Sequence, residues 1–137
     1  RFGRTRRSRA PGVSSRRMPL PSSVAIPELR FVAARQSPEL LPEPGLTRRI
    51  LVHSETMMLV EHHMEKGWAG AHHTHPHEQL AYVISGHLRV GVGAEWFEAR
   101  AGDSFIVKGG VEHQAFALEP SVVLDVFTPG RDDYAPK

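Results

Sequence analysis

The chain contains no cysteine, which excludes disulfide bridges, thiolate metal sites and cysteine nucleophiles together. It also lacks any apolar run of the ~18 residues that a membrane-spanning helix needs, so nothing in it reads as a transmembrane segment. Acidic residues are missing from residues 1–17, where seven arginines stand (Arg1, Arg4, Arg6, Arg7, Arg9, Arg16 and Arg17). Aromatics are scarce at 7%, against nine histidines, seven of which lie between His62 and His87. Imidazole at that density points to a metal if the positions allow it.

With 137 residues, 40% of them apolar, the chain suits one domain with a modest core and not a multidomain enzyme. The formal charge of +2 divides into +7 over residues 1–17 and −5 over the remainder. The basic character therefore belongs to the tail and is no nucleic-acid footprint on the folded part. That tail of Arg, Ser, Pro and Gly has almost nothing to bury and is expected to be disordered. It shares the Arg/Ser richness of a transit peptide but has no amphipathic face, and no apolar stretch follows Arg16-Arg17 as an export signal requires. It reads as an upstream stretch with Met18 as the natural start, and the expected location is the cytoplasm. Residues 18–45 are Pro-rich, with one short apolar run at Leu29 to Ala34, and are expected to form a loosely packed arm that adds an edge strand.

From Leu46 to Tyr134 the pattern is that of strands at close spacing. Eight short β-rich runs are separated by Gly, Pro or charged turns: residues 50–52, 57–60, 80–84, 88–92, 96–97, 105–107, 115–118 and 122–127. Leu88, Val90 and Val92 alternate with Arg89 and Gly91 as a half-buried strand requires, and Gly93-Ala94 supplies a reversal. No stretch holds a helical period for three turns, and no internal repeat is present. The fold class expected is all-β, a barrel or jelly roll.

The chemistry concentrates in GWAGAHHTHPHEQLAYVISG, residues 67–86. On a strand alternate residues share a face, so His73 and His75 point together while His72 and Thr74 point away. If the strand ran straight, Gln79 would lie roughly 20 Å beyond His73 at ~3.3 Å per residue. Ligands of one ion lie at most ~4 Å apart, because each bond is ~2 Å. A bend is therefore required, and Pro76 is the residue that breaks a ladder there. His113, after the turn at Gly109-Gly110, completes a site of three histidines and one amide. His77 shares the parity of His73 and His75, but the bend would carry it out of the pocket. His53, His62, His63 and His87 lack any such arrangement and are expected to be surface or structural groups. Trp68, Trp96 and Tyr82 are read as core or rim.

These residues resemble the two motifs of the cupins, small metal-binding β-barrels. The first motif runs Gly, five residues, His-x-His, three residues, Glu, six residues, Gly. Gly67, His73, His75, Gln79 and Gly86 keep every spacing, with Gln in place of Glu. Gly102, Gly110 and His113 match the second motif, in which Lys108 stands where Pro is usual and Ala117 where Asn is usual. The resemblance covers roughly residues 46–134 and implies the cupin double-stranded β-helix, one divalent metal ion (Zn, Ni, Fe or Mn) and a homodimer. The segments HTHPHEQLAYVISG, MMLVEHHMEKG and LDVFTPGRDDY narrow it to the KdgF-type cupins of pectin degradation, in which the fourth ligand is also Gln. That resemblance implies ring opening of 4,5-unsaturated monouronates, products of pectate or alginate lyases, to linear 5-keto-4-deoxyuronate. It also implies active-site roles for Asp125, Phe127 and Arg131. Asp125 would be the acid/base, Arg131 would hold the substrate carboxylate by a two-pronged pair, and Phe127 would form an apolar wall. The partner expected is a small uronate or related sugar acid, with neither nucleic acid nor membrane. Two other classes stay open: a metal-dependent dioxygenase, which the neutral Gln79 disfavours, and a non-catalytic sugar-binding module.

Overall fold

The computed structural model describes residues 23–26 and 28–134, so the basic tail and the true start of the chain lie outside the described residues. Eleven strands and one short 3-10 turn, Ala34–Gln36, make up its regular structure, and the described residues hold no α-helix. The strands are β1 (Ser23–Ile26), β2 (Leu29–Val32), β3 (Leu40–Glu43), β4 (Leu46–His53), β5 (Met58–Met64) and β6 (Glu78–Ser85), followed by β7 (His87–Val92), β8 (Glu95–Arg100), β9 (Ser104–Val107), β10 (His113–Ala117) and β11 (Ser121–Thr128). A six-stranded antiparallel sheet in the order β3-β4-β5-β11-β6-β9 faces a three-stranded sheet in the order β10-β7-β8. This is the all-β jelly-roll architecture expected.

Period-two alternation decides which side chains enter the space between the sheets. Along β11, Ser121, Val123, Asp125 and Phe127 are buried and the residues between them are not. Along β5, Met58, Val60, His62 and Met64 are buried in the same way. Leu46, Met64, Ala81, Val83 and Val123 from the larger sheet pack on Leu88, Val90, Ala99 and Ala117 from the smaller one. A second cluster of Met58, Val60 and Phe127, with Tyr134 against it, fills the other end. Polar side chains on the inward face, Asp125 and His62 among them, thus lie at positions where the strand period would place an aliphatic residue.

The Pro-rich arm is more regular than its composition suggests. β3 does supply an edge strand, pairing with β4. The apolar run at residues 29–34 instead forms β2, which pairs with β1 in a separate two-stranded sheet, tied to β4 where Arg30 Nη1 donates to the His53 carbonyl at 2.9 Å. Trp96 and Tyr82 are neither core nor cavity rim but lie on the outer surface, 49% and 45% exposed. Trp68 packs against the main core.

Gly86, between β6 and β7, has φ +95°, and a Cβ there would overlap the Ser121 hydroxyl and the Pro120 carbonyl oxygen. The same hydroxyl accepts the His87 N–H at 3.0 Å, so the crossing is tight from both sides. Gly86→Ala combines a left-handed backbone with a clash against main chain and should cost more than ~2 kcal/mol. Urea unfolding measures this; an unchanged midpoint would contradict the tight crossing.

Candidate metal centre and active-site cavity

Backbone pairing brings the imidazoles together. The segment after β5 runs along the free edge of β10, where Gly70 N–H donates to the Ala115 carbonyl at 2.9 Å. Further on, His73 and His113 exchange both main-chain bonds, at 3.0 and 2.9 Å, and their rings lie 4.2 Å apart between centroids. The expected regular strand through His73 and His75 is therefore reduced to one bridge at His73, because Pro76 ends the ladder. The bend is held from the β9–β10 turn: Gly110 N–H donates to the His75 carbonyl at 2.8 Å, and a Cβ on Gly109 would overlap the Pro76 carbonyl oxygen. Beyond the bend β6 begins, and Gln79 Oε1 lies 3.2 Å from His75 Nε2.

Each of the three rings has the same lock. His73 Nδ1 bonds the Ala71 carbonyl at 2.8 Å, His75 Nδ1 the His77 carbonyl at 3.0 Å, and His113 Nδ1 the Val111 carbonyl at 2.9 Å. A carbonyl only accepts, so Nδ1 carries the proton and Nε2 is left with its lone pair. Burial, with the positive Arg131 second, lowers His75 below the ordinary histidine pKa, and burial likewise lowers His113. Both therefore favour the neutral, ligating form.

The donor set fits a cation. One ring nitrogen from each of His73, His75 and His113 lies within 4.8 Å of the others, and buried His113 Nε2 has no hydrogen-bond partner. His75 Nε2 and Gln79 Oε1 are two lone pairs facing each other with no proton between them. Their separation is the one that two ~2.1 Å bonds to a shared ion produce at roughly 100°.

A cavity of about 300 Å³ opens beside this cluster, lined by His73, Gln79, His113, Asp125, Phe127 and Arg131 among others. Six of the seven residues singled out in the sequence thus line one space, and the seventh, His75, is buried against it. His77 is not in the lining; its ring packs edge-on near Phe127, 6.5 Å between centroids.

Asp125 is buried and both its oxygens are engaged. Gln79 Nε2 donates to Oδ1 and His62 Nδ1 to Oδ2, each at 2.7 Å. His62 Nε2 accepts from Arg48 Nε at 3.0 Å. His62 was expected to be a surface or structural group, and Arg48 did not stand out in the sequence. The parity of His62 with Met58, Val60 and Met64 was the signal that could have placed it inward. Arg131 is also buried, and its Nε and Nη2 edge already holds Asp133, at 2.8 and 2.6 Å. The two-pronged edge expected for a ligand carboxylate is therefore occupied, and Nη1 is the buried nitrogen left without a partner. Burial opposes the Arg131 charge, but the bonds it donates to Asp133, with the neighbouring Tyr134, Asp133 and Asp125, outweigh it and hold the guanidinium pKa above its usual value. Tyr134 lies between two guanidiniums, with Arg48 3.6 Å and Arg131 4.1 Å from its ring centroid.

Residues 60–127 match the cupin domain family. Over 92 residues the chain is 35% identical to the pectin degradation protein KdgF of Dickeya dadantii, an alignment covering 66% of this chain and 84% of that protein. The chain is a cupin. Among solved structures, KdgF from a Halomonas species superposes with a TM-score of 0.73 at 34% identity, over 77% of this cupin and 97% of that chain. An RmlC-like cupin from Shewanella frigidimarina gives a TM-score of 0.73 at 32% identity, over 77% and 95%. The three imidazoles, Gln79 and Asp125 of this cupin fall inside the family match, whereas Arg48 and Arg131 fall outside it.

An imidazole ligates a metal ion only in its neutral form, so removing any one of the three rings takes a donor from the site. Protein purified without a nickel column should carry about one equivalent of divalent metal by elemental analysis, and His75→Ala and His113→Ala should each lose most of it. A full equivalent retained in both variants would contradict the assignment.

Proposed function

We propose that this cupin opens the ring of 4,5-unsaturated monouronates to give linear 5-keto-4-deoxyuronate, using a divalent ion held by His73, His75, Gln79 and His113. The observation that carries the reading is a buried carboxylate, Asp125, set in one cavity with a ligand cluster and an arginine. It occurs in a chain 35% identical to a pectin degradation protein. The cavity is at the low end of the ~300–1,000 Å³ range of small-ligand pockets, a size for one sugar ring and not for a polymer.

The ion supplies Lewis-acid polarisation of a sugar oxygen, and Zn, Ni, Fe or Mn suits the donor set. The rest of the chemistry is proton movement. The anomeric hydroxyl loses a proton, the bond from C1 to the ring oxygen breaks with its electron pair passing to that oxygen, and the enol so formed becomes a ketone as C4 gains a proton. Product and substrate are isomers. Asp125 is the group that takes and returns the proton, because of the two carboxylates lining the cavity it is the buried one and is held in place by two donors, whereas Glu43 is exposed. Arg131 meets the substrate carboxylate through Nη1, its Nε and Nη2 edge being engaged by Asp133. Phe127, opposite Gln79 in the β11–β6 ladder, is the apolar wall that keeps water from the ring.

The double bond of the substrate is conjugated to its carboxylate, so ultraviolet absorbance reports the reaction. Metal-loaded protein should speed the loss of absorbance of an unsaturated monouronate. Asp125→Asn, saturated with metal, should lose ~10²-fold to 10⁴-fold in kcat. Arg131→Lys should raise KM. No acceleration with galacturonate-, guluronate- or mannuronate-derived substrate would overturn the reading in favour of a ligand-binding module.

A further inference from the structure

A chain of four side chains crosses the inner face of the larger sheet: Arg48 on β4, His62 on β5, Asp125 on β11 and Gln79 on β6. These strands are consecutive neighbours. Arg48 pairs directly with His62, and His62 pairs with Val123, two residues before Asp125. Asp125 in turn pairs with Ala81, two residues after Gln79. The last two links are diagonals, a reach that long side chains span on one sheet face.

Every bond in this chain has a forced polarity. Arginine only donates, so His62 Nε2 accepts and its proton lies on Nδ1. That proton goes to Asp125 Oδ2. An ionised carboxylate only accepts, so the NH₂ end of Gln79 faces Asp125 Oδ1 and the Oε1 end faces the imidazoles. The two ends of an amide are nearly isosteric, and only the oxygen end can ligate an ion. Arg48 is itself pinned, its guanidinium stacked 3.6 Å from the Tyr134 ring centroid. His62 is 8% exposed and Asp125 4%, so both are largely shielded from bulk water.

We infer that Arg48 and His62 are positioning residues that act through Asp125 to hold the Gln79 amide with its oxygen toward the metal centre. Without the His62 donor, Asp125 Oδ2 is unpaired and the carboxylate turns about χ2, releasing the Gln79 amide to rotate. The inference rests on Gln79 being a ligand, as proposed above, and not on the identity of the sugar.

Cobalt(II) is the probe, added to full-length protein stripped by chelator, with affinity and visible absorption as readouts. His62→Phe fills the space but has no donor, and should weaken cobalt affinity about 10-fold to 100-fold with an altered spectrum. His62→Asn places an amide N–H where Nδ1–H was, and should restore both readouts to within about threefold of wild type, a small part of the usual cost of losing a partner behind a ligand. Arg48→Met should fall between them. Wild-type affinity and spectrum in His62→Phe, or equal damage in His62→Asn and His62→Phe, would overturn the inference. If His62→Phe does not fold, unchanged binding in Arg48→Met overturns it instead. Wild-type protein that binds no cobalt would overturn the metal reading itself, a separate result from a wild type that binds and variants that bind equally.

Discussion

The centre of this protein depends on one repeated interaction, the bond from an imidazole Nδ1 to a backbone carbonyl two residues away. It occurs at His73, His75 and His113. Each bond selects a tautomer, fixes a ring plane and leaves Nε2 bare, so three otherwise adaptable side chains become directed donors. The backbone that carries the rings is held by main-chain pairing: His73 and His113 bridge to each other, and the bend at Pro76 is clasped by Gly109 and Gly110. The geometry of the site is thus a consequence of β pairing and not of flexible side chains finding one another.

The same inner face carries a cost that the fold must offset. A buried carboxylate left without donors is strongly unfavourable. Asp125 meets this with two short bonds, and the histidine that supplies one of them is satisfied in turn by Arg48. Arg131 is treated in the same way by Asp133. The imidazole cluster and the charged groups therefore line one cavity beside an aliphatic core of Val60, Val83, Val123 and their neighbours. Removing His62 or Gln79 leaves an Asp125 oxygen without its donor, and removing Asp133 leaves the buried Arg131 without its acceptor.

Much of this was legible in the sequence because the decisive information is local. His73, His75, Pro76 and Gln79 lie within seven residues, and the strand period together with the reach of a metal bond forces the bend. The alternation in residues 88–92 and the reversal at Gly93 were equally readable. What was not legible depends on register between distant strands. His62 read as a surface or structural histidine without a named partner, and only the pairing of β5 with β11 puts it diagonal to Asp125, 63 residues away. Arg48 needed one further pairing, β4 with β5. Arg131 followed a turn and was assigned a free fork, because nothing in the spacing shows Asp133 folding back on it. In residues 80–84 both faces are apolar, so alternation could not reveal that Tyr82 faces outward while Ala81 and Val83 fill the core.

X-ray absorption at the metal edge tests the central claim most directly, since it reads the atoms around the ion without reference to any substrate. The account predicts a first shell of nitrogen and oxygen with the outer-shell scattering of three imidazoles, reduced to two in the fraction of metal that His113→Ala retains. A first shell with fewer than two imidazoles in the wild-type protein, or a spectrum unaltered by His113→Ala, would contradict it.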